Sequence, residues 1–201
     1  MKLLLTSSGL WNDVLKYRFL KLVGKPMEEI KLLFIPTAAN GEKSSTYVDK
    51  NRDSLFEMGI ARDNLIEYDL DEDVSGISLE DIDVIYVEGG NTYYLLDKFK
   101  KTGFYKKLAE MLARGVVYVG VSAGSISMGA NIDITNPDTH DDFGITDRKG
   151  LGYTDKAICP HFNKKTESFL DRFRRNNSEE VVRLNDGQAL LIDENGEELI
   201  G

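Results

Sequence analysis

Short, mostly apolar runs alternate along this chain with stretches whose apolar residues recur every three or four positions. The runs occupy residues 2–6, 30–35, 65–70, 83–87 and 116–121, and each is long enough for one buried strand. Between the first two, Leu15, Phe19 and Leu22 fall at i, i+4 and i+7 behind Asn12. That spacing predicts a helix capped by Asn12 and ended by Gly24 and Pro26. Tyr47, Val48, Leu55 and Phe56 mark a second helix stopping at Gly59, after a polar loop through Asn40-Gly41. Further helices are expected over 92–100 and 104–114, the latter with Phe104, Leu108, Met111 and Leu112 on one face. Buried strands alternating with amphipathic helices predict an α/β fold, a mostly parallel central sheet with helices on both faces.

Beyond residue 121 the pattern loosens. Residues 131–154 are polar and glycine-containing and show no clear period. A strand is expected at 157–159, reaching Pro160-His161-Phe162, then a helix with Thr166, Phe169, Leu170 and Phe173 on its face. Short strands over 181–184, 188–192 and 197–200 would be joined at Asn185-Asp186-Gly187 and Asn195-Gly196. With no internal repeat, low-complexity tract or linker, residues 1–201 read as a single domain.

Composition narrows the class. Hydrophobic residues make up 41% and charged residues 29%, a soluble globular balance, and no apolar run approaches the ~20 residues of a membrane span. The formal net charge of −9 repels phosphate backbones and argues against nucleic acid as a partner. One cysteine, Cys159, excludes an internal disulfide, and residues 1–6 lack the features of a signal peptide, so a cytoplasmic location is expected. Two histidines and one cysteine, not clustered, give a zinc site little to work with. No metal or cofactor is expected.

Candidate chemistry begins at Gly120-Val121-Ser122-Ala123-Gly124-Ser125, directly after the fifth apolar run. A serine with glycines at i−2 and i+2 between a strand and a helix reads as a nucleophile elbow. The strained turn lifts the hydroxyl above the sheet edge, and the glycines let strand and helix approach closely. A serine hydroxyl needs a base. His161 follows a strand, where α/β folds present functional groups, whereas His140 lies in a polar acidic segment. Glu88-Gly89-Gly90-Asn91-Thr92 is a second glycine-bearing strand end. Its amides, with that of Ala123, are candidate oxyanion donors, and Asn91 or Thr92 is a candidate helix cap. The carboxylate that would orient the imidazole is left open by spacing between Asp138, which precedes His161, and Asp186, which follows it. Cys159 is read as a buried strand residue rather than a nucleophile.

These landmarks carry a resemblance. Leu3-Leu4-Leu5, Phe34-Ile35-Pro36, Gly89-Gly90-Asn91-Thr92, Gly120-Val121-Ser122-Ala123-Gly124 and Pro160-His161-Phe162 occur in an order similar to the aspartyl dipeptidase and cyanophycinase family of serine peptidases. The resemblance covers nearly the whole chain. It implies a three-layer sandwich of the flavodoxin type, as in class I glutamine amidotransferases. It also implies a short peptide as substrate, Ser122 as nucleophile, His161 as base, and oxyanion donors from Gly89, Gly90 and Ala123. The family's orienting acid is usually a glutamate after the histidine, and Asp186, one methylene shorter, matches that place; an aspartate soon after the elbow, the other place the resemblance offers, corresponds to Asp138. Aspartyl dipeptidases also carry an arginine-bearing loop that reads an N-terminal aspartate. Here that stretch is Asn163-Lys164-Lys165-Thr166-Glu167-Ser168, with Thr166 near the arginine's place. An absolute requirement for N-terminal aspartate is therefore not expected. The rival readings are an α/β-hydrolase esterase, whose acid should precede its histidine, and a small-molecule binding protein that needs no Ser122–His161 contact.

Overall fold

The computed structural model describes residues 1–42, 45–72, 78–135 and 144–201. Asp138 and His140 lie outside the described residues. Five strands run parallel: β1 (Lys2–Thr6), β2 (Leu32–Ile35), β3 (Leu65–Glu67), β4 (Val84–Val87) and β5 (Val117–Val121). Between them come α1 (Asp13–Val23), α2 (Thr46–Glu57), α3 (Thr92–Lys101) and α4 (Phe104–Ala113). After β5 follow α5 (Ala123–Met128), β6 (Ala157–Cys159), α6 (Glu167–Asn176), β7 (Val181–Arg183), β8 (Ala189–Asp193) and β9 (Gly196–Ile200). The main sheet has seven strands in the order β3-β2-β4-β5-β1-β8-β9, with β8 antiparallel to β1 and to β9. Four neighbours, β3-β2-β4-β5, repeat the 2-1-3-4 order of flavodoxin-like sheets, and the N-terminal strand β1 fills the fifth place. The α/β three-layer architecture is thus present.

Period-two alternation along the strands decides what each face buries. Leu4, Phe34, Tyr86 and Val119 pack with Leu15, Phe19 and Leu22 of α1 and Val48 and Leu55 of α2. The opposite residues, Leu5, Leu33, Ile85 and Tyr118, pack with Leu95 and Phe99 of α3 and Phe104 and Leu108 of α4. Asn12 caps α1 as expected, its side-chain oxygen accepting from the Leu15 amide at 2.9 Å, and Gly24 ends the helix in the left-handed region at φ +76°.

Three expectations need adjusting. Strand β2 begins at Leu32 rather than residue 30, because Met27–Glu29 form a 3-10 turn and the Lys31 amide donates to the Asp83 side chain at 3.0 Å. Strand β3 ends at Glu67 rather than residue 70, because Thr37 Oγ1 takes the Leu70 amide at 2.8 Å and donates to Asp69 at 2.9 Å. The third adjustment matters for the site. Strands β7 and β8 do not form a hairpin across Asn185-Asp186-Gly187. Strand β7 pairs in parallel with β6 in a separate two-stranded sheet, while β8 joins the main one. The Asp186 loop therefore bridges two sheets.

Candidate active site

Three parallel strands, β1, β4 and β5, deliver their carboxyl ends to one region. At the end of β5, Ser122 sits at φ 46° and ψ −104°, a conformation that costs roughly 1–3 kcal/mol. The turn closes only because its neighbours lack side chains. A Cβ at Gly120 would lie 2.8 Å from the Gly124 carbonyl carbon, and one at Gly124 would lie 2.4 Å from the Val87 carbonyl oxygen. The elbow is pinned to β1: the Ser122 amide donates to the Thr6 carbonyl at 3.1 Å, and Ser125 Oγ donates to the same oxygen at 2.7 Å.

His161 follows β6 with φ +53°. Among the described residues, Ser122 and His161 are the only two non-glycine residues with positive φ. Strain of this kind persists only where surrounding structure enforces it. The imidazole spans two partners, with Nε2 3.1 Å from Ser122 Oγ and Nδ1 2.7 Å from Asp186 Oδ1. A carboxylate only accepts, so Nδ1 carries the hydrogen and Nε2 is left to accept the serine proton. Ser122, His161 and Asp186, one of the two acids that spacing left open, are therefore brought together.

One residue that braces this arrangement went unnoticed in the sequence. Ser7, fully buried just after β1, donates to Asp186 Oδ1 at 2.9 Å and accepts the His161 backbone N–H at 2.8 Å. A single hydroxyl thus ties the acid to the backbone of the base. The available signal was a polar Thr6-Ser7-Ser8-Gly9 directly at a strand's carboxyl end.

The glycines of the β4 turn divide their roles. Gly90 adopts φ +140°, and a Cβ there would lie 2.3 Å from the Ala38 carbonyl oxygen. Its amide has no hydrogen-bond partner among the described residues, nor has that of Ala123. The Gly89 amide instead donates to Glu88 Oε2 at 3.1 Å, and the Gly89 carbonyl accepts from the Tyr47 hydroxyl at 3.1 Å. Gly89 also abuts the nucleophile, since a Cβ there would lie 3.2 Å from Ser122 Cβ. Asn91 caps α3, accepting from the Tyr94 amide at 3.0 Å.

A cleft of about 810 Å³ opens beside Ser122, bounded by Trp11, Tyr47, Asn51, Glu88 and His161. Glu88 is wholly buried, and that burial pushes its carboxyl up to about 7 despite hydrogen bonds from Asn51 and Gly89. Burial likewise raises Tyr47 to about 12, helped by Glu42 and Glu88 nearby, so its phenol stays protonated. The Cys159 thiol is buried and pushed up to about 11, which keeps it a poor nucleophile at neutral pH. Lys164 and Lys165 are exposed and do not line the cleft.

Fold and geometry together describe an α/β protein with a serine–histidine–aspartate constellation at the carboxyl edge of its sheet. The chain belongs to peptidase family S51, whose profile matches residues 3–200. It is 34% identical over 139 residues to an uncharacterized peptidase of Listeria monocytogenes, a match covering 65% of this chain and 64% of that protein. It is 32% identical over 170 residues to an uncharacterized peptidase of Pasteurella multocida, covering 80% and 77%. With peptidase E of Salmonella arizonae the identity is 31% over 141 residues, covering 65% of this chain and 54% of that protein. The match thus spans under two thirds of the length of the Listeria and Salmonella relatives. A crystal structure of a putative peptidase E from Listeria monocytogenes superposes with a TM-score of 0.79 at 27% identity, covering 99% of this chain and 97% of that one. Among the described residues no helix is long and apolar enough to cross a membrane.

Proposed function

We propose that this chain is a serine peptidase that hydrolyses short peptides through an acyl-enzyme on Ser122. The observation that carries the reading is the continuous contact from Ser122 Oγ through the His161 ring to Asp186, 3.1 Å on one side and 2.7 Å on the other. As Oγ attacks the scissile carbonyl carbon, His161 Nε2 takes its proton, and Asp186 stabilises the imidazolium that forms. The carbonyl oxygen becomes an oxyanion and is met by the amides of Gly90 and Ala123, while Gly89 contributes its lack of a side chain. Collapse breaks the C–N bond, and the departing amine takes the proton from His161. Water then attacks the ester with His161 again as base, releasing the acid and restoring Ser122.

The order Ser122, His161, Asp186 favours this reading over an α/β-hydrolase esterase, in which the acid precedes the histidine. A fluorophosphonate probe should label wild-type protein at Ser122, and a matched panel of dipeptides and esters should show peptide cleavage. Ser122→Ala should abolish labelling, leave the fold intact and lower kcat by roughly 10³-fold or more. Undiminished turnover in the pure variant refutes the serine mechanism.

A further inference from the structure

Glu88 lines the cleft, yet the catalytic steps above make no use of it. It is fully buried at the end of β4, one residue before Gly89, which abuts Ser122. Oε2 accepts twice, from Asn51 Nδ2 at 2.9 Å and from the Gly89 amide at 3.1 Å. Oε1 meets no donor among the described residues. The neighbouring phenol cannot serve it, because the Tyr47 hydroxyl donates to the Gly89 carbonyl. A buried carboxyl with one idle oxygen and no ion-pair partner costs stability, and it persists most readily where a ligand can complete it.

The charges around the cleft point the same way. Its described lining includes the carboxylates of Glu42, Glu88 and Asp186 and no lysine or arginine. Among the described lining residues no lysine or arginine offsets these carboxylates, so a ligand cation meets negative charge on several sides. We propose that Glu88 is the specificity residue of this site and binds a positively charged N–H donor on the acyl side of the scissile bond. Two groups of a peptide share that chemistry, the free α-ammonium and a basic side chain of the N-terminal residue. Burial that pushes the Glu88 carboxyl up to about 7 leaves it ready to ionise against such a cation. The inference rests on the peptidase reading, since it places the bound residue beside Ser122.

The test is binding rather than turnover, so that the two ideas fail separately. Ser122→Ala protein is titrated calorimetrically with Ala-Leu, N-acetyl-Ala-Leu, Lys-Leu and Asp-Leu at pH 7.5. Asp-Leu should bind more weakly than Lys-Leu by on the order of 10-fold, the scale of one charge-assisted hydrogen bond. Adding Glu88→Gln should weaken the favoured peptides by a similar factor. If acetylation and Glu88→Gln each remove most of the Ala-Leu affinity, the α-ammonium is the group held. If only Lys-Leu is affected, it is the basic side chain. Glu88→Asp, which keeps the charge but withdraws it by about one methylene, should also weaken binding and serves if the glutamine variant does not fold. The inference is overturned if Ala-Leu and Lys-Leu keep their affinity within about twofold in the variants, or if the Ser122→Ala protein binds none of the four. Absence of fluorophosphonate labelling in wild-type protein would instead refute the peptidase reading.

Discussion

Replacing Glu88 by glutamine should make the protein more stable at alkaline pH, and the size of the gain follows from where the carboxyl sits. Glu88 is wholly buried, and desolvation pushes it from 4.5 to about 7 against the pull of Asn51 and Gly89. A carboxyl with a folded pKa above its unfolded value binds more protons in the folded state. Its stability contribution is fully present below about pH 4.5 and is lost as pH rises toward 7 and beyond. At about 1.4 kcal/mol per pKa unit, the loss amounts to roughly 3 kcal/mol. Glutamine keeps the shape and an acceptor for Asn51 and Gly89 but has no proton to lose. The variant should therefore track wild type at pH 4 and exceed it by roughly 3 kcal/mol at pH 8.5, an advantage in Tm of about 6–12 °C for a chain of this size. Urea denaturation of both proteins across that range measures the difference directly, and the other titrating groups largely cancel between them. Parallel stability profiles, with a gap independent of pH, would refute the reasoning. They would mean that Glu88 holds one charge state throughout or titrates with an ordinary pKa.

Other expectations concern the catalytic arrangement. Asp186→Asn should lower kcat by roughly 10²–10⁴-fold with little change in KM, because the amide favours the wrong imidazole tautomer and cannot stabilise an imidazolium; steady-state kinetics on a cleaved dipeptide will measure it. Ser7→Ala deprives the His161 N–H and Asp186 Oδ1 of their shared partner, so kcat should fall on the order of 10-fold. Stability should fall with it by about 1–3 kcal/mol, read by urea denaturation. Cys159, with its thiol raised to about 11, should resist iodoacetamide in the native protein at pH 8, and peptide turnover should survive that treatment.

Much of the architecture was legible along the chain because its causes are local. Mostly apolar runs bury on two faces, and Leu15, Phe19 and Leu22 make one helical stripe, so strands, helices and the α/β class follow from spacing alone. The elbow was legible for the same reason: Gly120 and Gly124 are required by contacts within a few residues of Ser122 and with the adjoining strand. Strand ends at Ile30 and Leu70 were misplaced because competing side-chain partners, Asp83 and Thr37, come from elsewhere in the chain. The site's supporting groups were hidden for a related reason. Asp186 was legible only as one of two candidate acids, because its place in an Asp-Gly turn does not show that β7 and β8 enter different sheets, which brings its loop to His161. Ser7 is one small polar residue among several. Only the pairing of β1 with β8, strands more than 180 residues apart, sets it against the acid that holds the base. Glu88 follows an apolar strand, and no local pattern marks it as buried. Its burial arises because Asn51 and Tyr47 of α2 fold over the end of β4, and burial and charge environment exist only once distant segments are packed together.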